Sequence, residues 1–246
     1  MHISITEHLS LALLRDGGLQ SLDLRGELKL LVSDASLSKL RLNLQAPSSS
    51  SSFASEVQFK QPPQVGKLAS APGAARVVAL KDSTREFPVG KALSTLKWKL
   101  TSTNESIVPL AINCWPSPSN DGCDVNIEFE LEAKHLTLRN VVISIPLPPN
   151  AYPKVSSNTG DWQHNSTTNC LDWTTDTIDA DEPSGTLEFS VSGTEDPDAF
   201  FPVGVRFVSA GSVAEVQVES ATLVESGEEV TFSQETVLAT EEYIVV

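Results

Sequence analysis

The sequence predicts an all-β protein built as two β-sandwich units. Three observations predict it. Apolar residues alternate with period two in a dozen short segments, the pattern of strands with one buried face. No comparable stretch has the 3.6-residue periodicity of an amphipathic helix. Gly-, Pro-, Asn- and Ser-containing turns separate the segments. In order, the predicted strands are Ile3–Leu9, Leu22–Leu30, Leu40–Leu44, Arg76–Leu80, Leu93–Leu100, Val108–Cys114, Val125–Leu131, Leu136–Ile145, Leu187–Val191, Val203–Val208, Val213–Leu223 and Glu229–Leu238. Arg15-Asp16-Gly17-Gly18-Leu19 marks a hairpin between the first two. Ser36–Leu40 and Asp196–Phe200 are the places for a single helical turn. Pro47–Ser55 is a low-complexity mobile loop, and Gln61–Ala75, rich in Pro, Gly and Ala, reads as irregular.

Residues 106–148 are the most informative stretch. Ile107–Cys114 reads as a half-buried strand, and Pro116 to Gly122 as a turn cluster of strand breakers. Val125-Asn126-Ile127-Glu128-Phe129-Glu130-Leu131-Glu132 then alternates strictly, with four apolar residues on one face and mostly carboxylates on the other. Leu138–Ile145 follows as a third strand, closed by Pro146, Pro148 and Pro149.

At 246 residues, 40% of them apolar, the chain is long enough to bury a sizeable core. It has no apolar run of membrane-spanning length. Met1-His2-Ile3 does not open a signal peptide. Cys114, Cys123 and Cys170 are an odd number, which favours a reducing compartment. The sequons at Asn104 and Asn165 carry no weight without a secretory signal. The net charge of −15 is uneven: thirteen of seventeen cations lie in residues 1–103, a balance of +5, whereas residues 104–196 balance to −12 and residues 197–246 to −8. A field this negative argues against nucleic acid. The first segment is suited to present a basic surface to an acidic ligand or an anionic membrane.

Catalytic and metal signals are absent. The four histidines, His2, His8, His135 and His164, meet no nucleophile-elbow sequence, and a Ser–His–Asp set built from His164 and Asp172 would be contrived. The cysteines have no zinc-type spacing and read as small buried hydrophobes. The carboxylates Asp176, Asp179, Asp181 and Glu182 lack the EF-hand order and read as a solvated loop. No phosphate-cradling glycine loop, and hence no cofactor, is indicated. Trp115, Trp162 and Trp173 read as core or turn-packing residues. Lys97-Trp98-Lys99 supports two readings: a core Trp flanked by solvated lysines, or a basic lip beside an apolar pocket.

Six pieces in order carry a family resemblance: ITEHLSLALLRDGGLQSLDLRGELKLLVSD from Ile5, LKWKLTSTNES from Leu96, INCWPS followed by GCDVNIEFEL, IPLP from Ile145, SGTLEFSVSG from Ser184, and FFPVGVRFVS from Phe200. Together they span most of the chain and resemble the C-terminal mu-homology domains of coatomer delta subunits, which belong to the COPI vesicle coat. The resemblance implies two β-sandwich subdomains, one inserted in the other: A, residues 1–103 plus 199–246, with a mobile loop at 47–75, and B, residues 104–198. It also implies that an N-terminal longin-like domain, which pairs with the zeta subunit, lies outside this chain.

The functional expectation follows from the resemblance. It is a non-catalytic adaptor in Golgi-to-ER retrograde transport, cytoplasmic and peripheral at Golgi membranes and coated vesicles. It would bind W-x-W motifs in acidic segments of a tethering-complex subunit of the endoplasmic reticulum and of Arf GTPase-activating proteins. Other coatomer subunits would meet it through the full-length protein, and the isolated domain would be monomeric. Clathrin-adaptor relatives that read tyrosine-based signals use an acidic residue, a lysine and a Trp-x-Arg pattern where this chain has Ser4, Leu31 and Phe232–Thr236; such signals are therefore not expected to bind. The predicted cationic lip is Lys29, Arg41, Lys97 and Lys99, beside Trp98. The alternative is a secreted or surface β-sandwich of carbohydrate-binding or adhesive type.

Overall fold

The computed structural model describes residues 1–15, 18–45, 53–69 and 76–246. Its strands are β1 (His2–Leu13), β2 (Leu19–Leu31), β3 (Leu40–Gln45), β4 (Gln58–Lys60), β5 (Arg76–Val78), β6 (Leu93–Ser102), β7 (Leu110–Ser119), β8 (Gly122–Leu131), β9 (Leu138–Pro146), β10 (Lys154–Asn158), β11 (Asp161–Asn165), β12 (Cys170–Ile178), β13 (Ser184–Ser192), β14 (Val203–Ser209), β15 (Gln217–Leu223) and β16 (Ser233–Val245). The described helices are 3-10 turns at Ala35–Leu37, Glu105–Ile107 and Pro197–Phe200. In each, the preceding Asp34, Asn104 or Asp196 accepts a backbone N–H two residues on, a side-chain cap in the absence of a longer helical ladder.

The chain forms two compact units. Unit 1 comprises Met1–His8, Asp23–Ser102 and Ala210–Leu238; unit 2 comprises Leu9–Leu22, Thr103–Ser209 and Ala239–Val246. The long strands β1, β2 and β16 therefore give residues to both units. The subdomain boundaries expected at 103/104 and 198/199 follow insertion along the chain, whereas these units follow packing.

In unit 1, β1, β2, β6 and β4 are successive neighbours in one sheet, and β15, β3 and β5 form another. Alternation places Ile3, Ile5, Leu24, Leu28, Leu96 and Leu100 inside on the first sheet and Leu40, Leu42, Val78 and Ala221 on the second. Of the 47–75 loop, residues 47–52 and 70–75 lie outside the described residues. The part between is more ordered than its composition suggests: β4 pairs with β6, and Phe53, Val57 and Val65 are buried. The apolar payload of these three residues outweighs the local Gly/Pro/Ser signal.

In unit 2, β11, β12, β9 and β14 are successive neighbours, and β10, β13, β8 and β7 form the second sheet. Phe129 of β8 meets Trp173 of β12 at 5.0 Å between ring centroids, and the Tyr243 hydroxyl donates to the Leu110 carbonyl. The β7–β8 hairpin pairs Leu110 with Leu131 through Ser119 with Gly122. Strand β8 follows the alternation at Val125–Leu131, but β7 runs on through Pro116–Ser119, which the strand breakers mark as turn; β7 lies at the edge of its sheet, where proline is tolerated. Trp173 is buried and Trp162 half-buried, but Trp115 is 46% exposed. This corrects the packing role expected of Trp115. On β7 the inward positions are Leu110, Ile112 and Cys114, and Trp115 has the opposite parity.

Candidate functional site

The polar face of the β1–β2–β6–β4 sheet carries most of the predicted lip. Outward positions of β2 are Asp23, Arg25, Glu27 and Lys29; those of β6 are Lys97, Lys99 and Thr101. Lys60 of β4 pairs across with Lys97, and Gln58 with Lys99. The cations are threaded by two carboxylates. Asp23 meets Lys99 at 2.8 Å and Arg25 at 2.8 Å, while Glu27 meets Lys29 at 3.1 Å and Lys97 at 3.3 Å. Partial burial pushes both carboxyls up, but their partners outweigh this and hold each below its ordinary value: Lys99 and Arg25 at Asp23, and Lys29 and Lys97 among those at Glu27. The lysine heads stay about half exposed. With five cations against two carboxylates, the face remains positive.

A cleft of about 310 Å³ opens on this face, lined by Thr6, His8, Arg25, Gly26, Glu27, Lys97, Trp98 and Lys99. Its floor is set from inside. Trp98 is 3% exposed, and its indole Nε1–H donates to Glu7 Oε1 at 2.9 Å. The indole lies against Gly26 so closely that a Cβ there would fall 1.9 Å from its Cε2. Trp98 is thus a core residue that fixes the strand carrying Lys97 and Lys99; its ring is not an outward docking surface.

Glu7 is the residue that sequence reasoning missed. It is fully buried. Its carboxylate accepts from the Trp98 indole, the Ser212 hydroxyl at 2.8 Å, the Val213 amide at 2.7 Å and the Ala214 amide at 3.4 Å. Burial pushes its carboxyl above the ordinary value, and the four donors hold back part of that rise. The signal was present in the strand's parity: Ile3, Ile5, Glu7, Leu9 and Leu11 share the inward side of β1.

The structure brings Lys29, Lys97, Trp98 and Lys99 together and leaves Arg41 apart. Arg41 lies on β3, in the other sheet of unit 1, and lines a different cleft. In unit 2, His164 and Asp172 form no catalytic pair. Asp172 instead accepts from Ser144 Oγ at 2.7 Å and Asn165 Nδ2 at 3.1 Å. Asp179 spends its carboxylate on the amides of Asp181 and Glu182, closing a turn. Among the described residues, no group of three or more His, Cys, Asp or Glu side chains is placed to hold a metal. Cys114 and Cys123 are buried free thiols, and burial pushes the Cys114 thiol up to about 12.

Two units of packed β-sheets, one with a charged, open sheet face, are the architecture of a mu-homology domain. The chain belongs to the adaptor complexes medium subunit family, whose model matches residues 1–245. That family makes it a non-catalytic adaptor component. It is 31% identical over 243 residues to coatomer subunit delta of Dictyostelium discoideum, covering 99% of this chain and 43% of that relative. The chain therefore spans less than half the length of that relative. Its fold is similar to the yeast delta-COP-I mu-homology domain, with a TM-score of 0.81 at 26% identity, covering 99% of this chain and 97% of the other. It is also similar to that yeast domain complexed with a Dsl1 WxWxV peptide, with a TM-score of 0.79 at 26% identity and the same coverage.

Proposed function

We propose that the chain is the motif-binding mu-homology domain of a COPI-type coat subunit and binds W-x-W sequences in acidic, flexible segments. The observation that carries this reading is the likeness, along nearly the whole chain, to a relative solved with a WxWxV peptide. The chemistry agrees. Indole rings supply apolar burial, and a basic rim supplies steering and modest affinity. We place the peptide on the polar face of unit 1, in the Trp98-floored cleft, against Lys97 and Lys99, with Lys29 beside it on Glu27. The lysine stems offer apolar walls, and their heads are in position to exchange Asp23 and Glu27 for peptide carboxylates. Arg41 is not assigned to this cleft.

The wider setting belongs to the same proposal: a cytoplasmic domain held peripherally at Golgi membranes through the rest of the coat, with an ER tethering subunit and an Arf GTPase-activating protein as partners. The insertion architecture, A at 1–103 plus 199–246 and B at 104–198, is proposed with it. Family membership takes precedence over the sugar-binding or adhesive alternative.

The test is a titration of a fluorescent acidic W-x-W peptide and its double-Ala counterpart at low and high salt. The W-x-W peptide is expected to bind, weaken with salt and lose about tenfold in affinity to a Lys97→Glu/Lys99→Glu variant. Equal binding of the double-Ala peptide, or none of either, would overturn the ligand class. Full affinity in the double variant would overturn the placement alone.

A further inference from the structure

A second cleft of unit 1, about 220 Å³, is lined by Lys39, Arg41, Lys81 and Arg85 around an apolar base of Leu40, Leu80 and Phe87. Every charged residue in its lining is a cation. This differs from the Trp98 cleft, where Glu27 stands among the cations. The arrangement is held by backbone: the Phe87 amide donates to the Ser38 carbonyl at 2.8 Å, Val224 to Lys39 at 3.0 Å and Lys81 to Gln64 at 2.9 Å. Arg85 N–H closes a turn onto the Asp82 carbonyl at 3.1 Å. Three carboxylates stand near. Glu225 pairs with Lys39 at 3.0 Å; Asp82 accepts from the amide and hydroxyl of Thr84 at 2.9 and 2.6 Å and feels Arg85 only through its charge; Glu86 acts on Lys39 only through its charge. Arg41, Lys81 and Arg85 make no ion pair among the described residues.

We infer that this cleft binds a phosphorylated serine or threonine side chain of a partner peptide. Two guanidinium forks and two ammonium groups on one small concavity match a dianion with three acceptor oxygens. The volume is below that of pockets for drug-sized ligands and suits one inserted group. The source is a peptide and not a lipid surface, because exposed Glu225, Glu228 and Glu229 follow the lining residue Val224. A bilayer would press anionic headgroups against these carboxylates, whereas a single side chain can pass them. The inference stands independently of the W-x-W reading.

The probe is a fluorescein-labelled Gly/Ser peptide carrying one phosphoserine, set against its unphosphorylated form, inorganic phosphate, and phosphatidylcholine vesicles with and without phosphatidylserine. The phosphopeptide is expected to bind saturably and the unphosphorylated one not. Affinity should fall at least about tenfold in Arg41→Glu and Arg85→Glu and hold in Lys97→Glu. Arg41→Gln and Arg85→Gln, with thermal midpoints unchanged, should weaken binding in the same direction. Equal binding of both peptides, or of neither, overturns the proposal. So does competition by inorganic phosphate at peptide-like concentration, which shows a bare anion site, and so does Arg41-dependent vesicle binding without peptide binding. If Arg41→Glu weakens the W-x-W peptide as much as the phosphopeptide, the cleft belongs to the motif site and the separate phosphate site is lost.

Discussion

The two units are built from the same kind of strand but differ in charge and in what they bury. Unit 1 contains twelve Lys/Arg and thirteen Asp/Glu, a balance of −1; unit 2 contains five and nineteen, a balance of −14. Unit 1 encloses a carboxylate, Glu7, with four donors, two of them backbone amides, whereas unit 2 buries Asp172 with two side-chain donors and the Tyr243 hydroxyl on one backbone carbonyl. The difference supports the placement of docking that we propose. Unit 1 sets a buried polar network behind an open cationic face, and unit 2 carries a strongly negative net charge that disfavours acidic ligands.

The sharpest way to break the comparison is Glu7→Ala. It strands the Trp98 indole, the Ser212 hydroxyl and the Val213 and Ala214 amides. The expected loss is about 3 kcal/mol or more, read as a lower urea midpoint. An unchanged midpoint would mean that water satisfies those donors and that the network is not what fixes unit 1. The pH dependence carries a sign. A carboxyl raised above its ordinary 4.5 binds its proton more tightly folded than unfolded. Glu7 therefore adds stability as pH falls through its folded value, and that gain is complete below the ordinary one. Asp23 and Glu27, held below 3.8 and 4.5, act oppositely: their contribution is present above those values and lost as pH falls through the folded ones. Relative to Glu7→Gln, which cannot titrate, the parent's urea midpoint should rise on acidification. A parent midpoint that falls relative to Glu7→Gln on acidification would reverse the assigned direction.

Next is Gly26→Ala. The added Cβ would fall 1.9 Å from the indole, so Trp98 must move or β2 must bend. The expected cost is about 1–3 kcal/mol from overpacking, with a matching loss of W-x-W peptide binding. A variant that loses stability but keeps full peptide affinity would separate the Trp98 floor from docking.

Much of this was legible in strand parity. Leu22, Leu24, Gly26, Leu28 and Leu30 share the inward side of β2, and Leu96, Trp98 and Leu100 that of β6. A glycine among leucines opposite a tryptophan is the trace of a large ring that needs space. What sequence could not supply was the lateral order of strands. That order sets Lys29 near Lys97 and sends Arg41, equally basic and equally exposed, to another sheet. Strands β10, β11 and β12 were unread because Lys154–Asn158 and Cys170–Ile178 are rich in Ser, Asn, Thr and Asp, types that read as turns, and Asp161–Asn165 is polar apart from Trp162. Their pairing comes from neighbours already in place: β12 aligns along β9 from Cys170 opposite Pro146 to Ile178 opposite Leu138. Two of the three described single turns lie at or beside the segments Ser36–Leu40 and Asp196–Phe200 marked for them, whereas the turn at Glu105–Ile107, capped by Asn104, was unread.

The smallest expected effect tests the other side of the comparison. Tyr243→Phe keeps the ring that meets Phe207 at 5.9 Å and removes only the hydroxyl bonded to the Leu110 carbonyl. A net hydrogen bond of this kind is worth about 1 kcal/mol, and the stranded carbonyl keeps a second lone pair for other donors. The urea midpoint should therefore drop slightly, with the slope and W-x-W peptide affinity unchanged. A loss as large as that of Glu7→Ala would place an equally organising polar contact in unit 2. The contrast would then rest on surface charge alone, and the cationic face of unit 1, not the network beneath it, would be what makes that unit the docking one.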